Sequence, residues 1–261
     1  MASFKSKISL LLYKANLNIK RYKLKKSYNG KLLNSFKNKY SGERCFIIGN
    51  GPSLKVEDVE KLKDEFTFAF NRIYYIFDKT SWRPNFYISE DLKILEKSKN
   101  EINKLDLPYK FIPDIARFDY NINIENAIYF RQVMDLNNDR TPKFTNKANK
   151  WIGWGATVTY TAIQLAIYMG FEEIYLLGID HNFRVTQNNR GEIIVDNNVK
   201  DYFCDEYNKD KEELYIPNVE NTTLSYIIAR KHCEKESIKI YNATRGGKLE
   251  VFERVDFDKL F

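Results

Sequence analysis

The rhythm of apolar positions changes near residue 43. Before it, Phe4, Ile8, Leu11, Leu12 and Ala15 recur at three- and four-residue spacing, and Lys5, Lys7 and Lys14 fall elsewhere on the same wheel. That is the pattern of an amphipathic basic helix. Beyond it come short, nearly continuous apolar runs over 44–49, 66–70, 85–89, 109–112, 127–130, 174–177 and 238–241. Their length predicts strands buried on both faces. Helical spacing fills 56–63, 92–103, 156–169 and 224–234. Alternation of this kind predicts an α/β fold: a Rossmann-like, mostly parallel sheet with helices on both faces and ligands at the C-terminal strand ends. With no linker and no internal repeat, the chain reads as a basic arm over 1–42 and a single catalytic domain over 43–261. Within that domain the long polar stretch 183–217, dotted with Tyr202, Phe203, Tyr207 and Tyr215, reads as a lid.

Composition narrows the picture. With 261 residues, 43% of them hydrophobic and 15% aromatic, the chain can bury one sizeable core and is not a disordered protein. No apolar run reaches the roughly 18–20 residues of a membrane-spanning helix. Cys45, Cys204 and Cys233 are too scattered for a disulfide framework or a zinc cluster, which fits a reducing cytoplasm. The net charge of +7 belongs to the arm, where residues 1–42 hold eleven basic side chains and no acidic one. From Glu43 on, 31 basic residues face 35 acidic ones, so the domain offers no basic groove for nucleic acid. The arm instead suits an anionic membrane surface, or packing on the domain or on a second subunit in a homo-oligomer. Lys14 cuts the apolar run short and no small-residue cleavage site follows, which argues against an export signal. The expected location is cytoplasmic and peripheral, on the inner face of the cytoplasmic membrane.

Two glycine-rich segments carry the candidate chemistry. Gly49-Asn50-Gly51-Pro52-Ser53 follows the first strand and precedes a helix that Ser53 could cap, an arrangement that suits a phosphate. It is neither the dinucleotide fingerprint nor a P-loop, and an ordinary turn is the alternative. Gly153-Trp154-Gly155-Ala156-Thr157 opens a second helix, either to bracket the other end of a nucleotide or merely to let that helix pack close to the sheet. Asn71, Glu90, Asp91, Asp180 and His181 fall at strand ends and converge on one crevice in a parallel sheet. His181 beside Asp180 is a candidate general base, with a structural hydrogen bond as the alternative. Asp256-Phe257-Asp258 lies outside any strand-to-helix crossover and reads as surface structure, and no metal-ligand cluster stands out.

Taken together, Phe46-Ile-Ile-Gly-Asn-Gly-Pro-Ser-Leu54, Asn71, and Gly155-Ala-Thr-Val-Thr159 leading through Ala166–Gly170 to Ile174-Tyr-Leu-Leu-Gly-Ile-Asp180 resemble a known group. They look like the superfamily that joins bacterial CMP-sialic-acid-dependent sialyltransferases, motility accessory factor (Maf) glycosyltransferases and MptE-like 6-hydroxymethylpterin diphosphokinases. The resemblance covers about 44–183, with a weaker echo at Asn242-Ala-Thr-Arg-Gly-Gly247. It implies that Gly49, Asn50, Gly51 and Ser53 contact the nucleotide and its phosphate, that Asn71 contacts the donor, and that Thr157 lies near the nucleotide. The sialyltransferases carry a catalytic His in the lid. Here 183–217 holds no His, which leaves His181, Asp180, Glu90 or Asp91 as the base.

The expected function is a glycosyltransferase of cell-surface polysaccharide or glycan assembly. It would move a sugar from a nucleotide-activated donor, such as a CMP-linked nonulosonate, to a glycan or lipid-linked acceptor by direct displacement, with no cofactor required. The alternatives are an MptE-like diphosphokinase using ATP and Mg²⁺, and a non-catalytic nucleotide-binding protein of the same fold.

Overall fold

The computed structural model describes residues 4–208 and 215–261, with side chains described for 8–207 and from 215 on. Phe4, Lys5 and Lys7 of the arm's predicted wheel, and 209–214 of the predicted lid, therefore lie outside the described side chains.

The chain opens with two helices, α1 (Phe4–Lys26) and α2 (Tyr28–Ser35). It then enters β1 (Arg44–Ile48), α3 (Val56–Lys61), β2 (Phe66–Phe70), β3 (Phe86–Ile88), α4 (Leu92–Lys97), α5 (Lys99–Lys104), β4 (Tyr109–Pro113), α6 (Asp114–Phe118) and β5 (Ala127–Phe130). The second half holds the short strands β6 (Gln132–Val133) and β7 (Ile152–Gly153), then α7 (Val158–Met169) and β8 (Glu173–Leu177). A hairpin of β9 (Val185–Gln187) and β10 (Ile193–Val195) follows, then α8 (Val219–Lys235), β11 (Lys239–Asn242) and β12 (Glu253–Arg254).

Eight strands form one parallel sheet in the order β12-β11-β8-β1-β2-β3-β4-β5. From β1 the chain first builds outward through β2 to β5. It then crosses back to lay β8 on the other side of β1, in the register Cys45 opposite Ile174. The pair β1–β8 is thus the topological switch point, where neighbouring crossovers leave in opposite directions and open a crevice at the carboxyl ends.

The seven predicted strands are present with ends shifted by a residue or so; β12 is additional in the main sheet, and the short pairs β6–β7 and β9–β10 lie outside it. The predicted helix over 92–103 is broken at Ser98, which ends α4 and begins α5. Alternation within each strand feeds two cores, one on each face of the sheet. Cys45 and Ile47 point with Phe68, Phe70 and Phe86 into the layer formed by α7 and α8, while Phe46 and Ile48 point with Ala69 and Tyr87 toward α3 and α5. Helix α7 is buried along its length and ends at Gly170, whose positive φ of 95° closes it in the left-handed conformation.

The basic arm is built onto this body. Leu33 and Phe36 are buried in the first core, and Phe36 meets Tyr109 edge to face at 4.8 Å. Asn29 pairs with the backbone of Tyr129 in both directions, donating through Nδ2 and accepting through Oδ1. Arg21 binds the wholly buried Asp114 with two hydrogen bonds of 2.6 and 3.2 Å.

Candidate functional site

At the switch point the carboxyl ends of β1, β2, β3 and β8 surround a cleft of about 580 Å³. Its floor is the turn after β1. Gly49 and Gly51 bring this backbone against the turn after β8: Gly51 N donates to Gly178 O at 2.9 Å, and a Cβ on Gly51 would run into the carboxylate of Asp180. The sequence leads one to expect a helix capped by Ser53. The helix instead begins at Val56, and Ser53 donates its hydroxyl to Asp180 Oδ2 at 2.7 Å. Pro52 and Ser53 consequently lie outside the cleft lining, whereas Gly49, Asn50 and Gly51 belong to it.

Asn50 is the site's conspicuous polar group. Its Nδ2 donates to the carbonyl of Phe70 at 3.2 Å, while its Oδ1 is buried with no partner among the described residues. The Phe70 carbonyl fixes which end of the amide is which, since an oxygen there would face an oxygen. The open atom is therefore an acceptor. It suits an O–H or N–H of a ligand, such as a ribose hydroxyl or a base amino group, and not the phosphate oxygen expected from the sequence. A buried acceptor left unsatisfied costs about 1–3 kcal/mol, which a ligand donor would relieve.

The second glycine-rich segment plays another part. Gly155 sits under the ring of Tyr160 and beside Ser225, where a Cβ would clash, and Gly153 is clasped by Gln164, whose amide bonds both its N–H and its C=O. Gly155 is thus a packing glycine and does not line the cleft. The residues after it do: Ala156, Thr157, Val158 and Thr159 form one wall at the start of α7, with Thr157 as N-cap. A second long helix also opens here. Asn218 caps α8, accepting from Asn221 N at 2.9 Å, and Asn218, Asn221 and Thr222 line the cleft. The two long helices that open on the cleft are therefore α7 and α8, each with its positive dipole end inward, beside the start of the short α4.

Four predicted polar residues complete the lining. Asn71 adopts a φ of 47°, which Asn tolerates, accepting Ser89 Oγ on its Oδ1 and Tyr87 Oη on its carbonyl. Glu90 accepts Thr161 Oγ1 at 2.6 Å and Gln132 Nε2 at 2.8 Å, both on Oε2. Burial raises its pKa to about 7, against the lowering effect of those two donors. Asp91 caps α4 through Oδ1, accepting Lys93 N and Ile94 N. Burial also raises the pKa of Asp91 and of Asp180 above the usual range.

His181 lies in the lining too, but its chemistry differs from the expectation. Its Nε2 meets Thr223 Oγ1 at 2.8 Å, its ring stands edge-on to Tyr226, and its φ is 51°. Thr223 Oγ1 donates to the Val219 carbonyl, so it accepts from Nε2–H. Burial lowers the His181 pKa to about 4, so the imidazole is neutral and weakly basic at pH 7. Of the four candidate bases, Glu90 has the pKa that general-base work near neutrality requires.

The lid begins as a strap over this cleft. Phe203 N donates to the Asn50 carbonyl, Arg184 N donates to Asp201, and Tyr202 stacks on Tyr207 with centroids 3.8 Å apart. Arg72 clamps it from below, donating to the Tyr207 carbonyl at 2.9 Å. Gln132, Thr161, Asn218 and Arg72 escaped the sequence reading. The available signal was polarity in the wrong place: Thr159, Thr161 and Gln164 interrupt a helix that is otherwise apolar. The echo at 242–247 is a buttress, since Thr244 Oγ1 accepts Ile179 N and Gly247 packs on the Asp180 backbone. Asp256 and Asp258 stay at the surface, the latter paired with Lys61 and Arg245. Among the described residues, no three His, Cys, Asp or Glu side chains group as a metal site.

A crevice at the switch point of an eight-stranded parallel sheet places the chain in the Rossmann-like α/β class. The family model described as 6-hydroxymethylpterin diphosphokinase MptE-like matches residues 20–186, and the chain belongs to that family. The match supports the MptE-like part of the resemblance and does not extend to the sialyltransferases or the Maf proteins. No curated protein matches the chain.

Proposed function

We propose that the cleft transfers a pyrophosphoryl group from a nucleoside triphosphate to the hydroxymethyl group of a flat heterocyclic alcohol of the pterin kind. Glu90 takes the proton of the acceptor hydroxyl, whose oxygen forms a bond to the β-phosphorus as the bond to the α-phosphate oxygen breaks and nucleoside monophosphate leaves. The observation that carries this reading is Glu90 itself, a carboxylate with a pKa of about 7 in the same cleft as the glycine turn and two long-helix starts. The family match supports the type of group transferred.

The Mg²⁺ that such chemistry uses would fall to Asp91 or to Asp180 together with substrate phosphates; the two follow strands three places apart in the sheet and so would not share one ion. Each is a hard oxygen donor in the cleft lining, and among the described residues its side-chain hydrogen bonds engage one oxygen, Oδ1 of Asp91 and Oδ2 of Asp180. One or two carboxylates with substrate phosphates suffice for this ion, and bound there it would offset phosphate charge. Asn50 Oδ1 accepts from the donor's ribose or base, and the α7 and α8 starts face its phosphates.

Glycosyl transfer from a nucleotide-activated sugar is the second reading. It is favoured by the apolar residues exposed on the cleft rim, Tyr120, Met134, Tyr215 and Ile216, which a small soluble acceptor would not need. Incubation with ATP, Mg²⁺ and hydroxymethylpterin should release AMP and stop on addition of EDTA. Release of CMP or UDP from a nucleotide sugar, unaffected by EDTA, would reject pyrophosphoryl transfer in favour of the second reading.

A further inference from the structure

Helix α1 is apolar on two opposite sides. One side rests on the body: Tyr13 Oη donates to Asp119 at 2.8 Å, Lys20 Nζ lies 5.7 Å from the Phe118 ring centre, Arg21 binds Asp114, and Leu24 packs on the second core. These contacts run along α6. The other side carries Ile8, Leu11, Leu12, Ala15, Ile19 and Tyr22, which at 3.6 residues per turn fall within roughly 100° of arc. Leu11 and Leu12 are each 66% exposed, Ile19 55% and Tyr22 63%. Among the described residues the only group recorded over this stripe is the Lys26 ammonium, 5.8 Å from the Tyr22 ring centre.

Its surroundings say what would cover it. Lys14 and Lys25 flank the stripe on one edge and Lys23 on the other, and residues 1–42 contain no acidic side chain. Where α1 gives way to α2, a separate cavity of about 380 Å³ opens beside Tyr22. Its wall brings together Arg21, Lys25, Arg131 and Lys150. The one carboxylate in that wall, Asp114, is already held by Arg21. A cationic pocket that shares Tyr22 with an exposed apolar stripe matches the two halves of an anionic phospholipid, phosphate and acyl chain. A second copy of the chain would bring like charge to the same face.

We infer that the outer face of α1 lies in the headgroup region of an anionic membrane, with the Arg21–Lys25–Arg131–Lys150 pocket receiving a lipid phosphate. This surface is separate from the cleft, and its test reads binding without any substrate. Full-length protein should float with vesicles of phosphatidylcholine and phosphatidylglycerol, much less with phosphatidylcholine alone, and less as salt rises. Leu12→Asp changes an exposed residue, so its melting temperature should match wild type while vesicle affinity falls at least about tenfold. Arg131→Glu combined with Lys150→Glu should cause a similar loss. Lys259→Glu, a charge reversal elsewhere, should leave affinity within about twofold. Soluble glycerol phosphate should not displace the vesicles. Equal flotation by Leu12→Asp, an equal loss in Lys259→Glu, or displacement by glycerol phosphate would overturn the proposal. So would a dimer that Leu12→Asp splits in a protein that does not bind vesicles, since the face would then be a subunit contact.

Discussion

The two glycine-rich turns read alike in sequence and behave differently in the fold. At 49–51 the glycines let the backbone press on the turn after β8 and leave an amide, Asn50, with its acceptor open to the cleft. At 153–155 the glycines make room for Tyr160, Ser225 and the Gln164 clasp, and the groups that face the cleft are Trp154 between them and the residues from Ala156 on, at the head of α7. A glycine can be required by a ligand or by a neighbour, and local sequence does not distinguish them. Nor does the space that a Cβ would occupy, which protein atoms fill in both turns: Asp180 and Gly178 at Gly51, Tyr160 and Ser225 at Gly155. The turns differ in what the residues beside the glycines leave open to the cleft, as Asn50 leaves its Oδ1.

The largest effect should come from the side of the cleft that neither turn supplies. Glu90→Gln should lower turnover by about a hundredfold or more with the fold intact, because the amide cannot take a proton. In wild type the rate should rise with pH through about 7, as Glu90 ionises. The sign for stability is opposite. A carboxyl whose pKa is higher folded than unfolded stabilises the fold while protonated, and that contribution fades as pH rises from the ordinary carboxyl value toward 7. Between those limits wild type should lose on the order of 2 kcal/mol relative to Glu90→Gln in chemical denaturation. A pH-independent difference would show that the carboxyl is not perturbed.

Next comes the packing turn. Gly155→Ala should cost about 1–3 kcal/mol, because the added methyl meets the Tyr160 ring, and should leave nucleotide affinity of the folded protein unchanged. A weaker affinity at unchanged melting temperature would return this turn to the ligand-contacting role that the sequence suggests. The smallest effect belongs to His181→Ala, which should change turnover less than about fivefold, since an imidazole with a pKa of about 4 offers little basicity. A hundredfold loss with a vanished acid limb would instead make it the base.

The fold was legible because buried parallel strands are written as local apolar runs, and 66–70 and 127–130 match their observed bounds. The site was legible mostly where strand ends deliver it, as Asn71, Glu90, Asp91, Asp180 and His181 reach the cleft through topology, and at Thr157, which reaches it as the cap of α7. Roles were harder to read. The pKa separation of Glu90 and His181 depends on burial and on Thr161, Gln132 and Thr223, which come from other elements. The start of α8 was missed because 218–223, Asn-Val-Glu-Asn-Thr-Thr, is too polar to show helical periodicity. Its helicity comes from the Asn218 cap and the packing of Thr222 and Ser225.

The central claim is that the turn after β1 holds a nucleotide through Asn50. Calorimetric titration of ATP with Mg²⁺ into wild type and Asn50→Ala tests it most directly, with melting curves of both proteins as the control. The account predicts at least about a tenfold loss of affinity, with a melting temperature close to wild type, because the loss of an unsatisfied buried acceptor offsets the loss of the hydrogen bond to the Phe70 carbonyl. Equal affinities would contradict it.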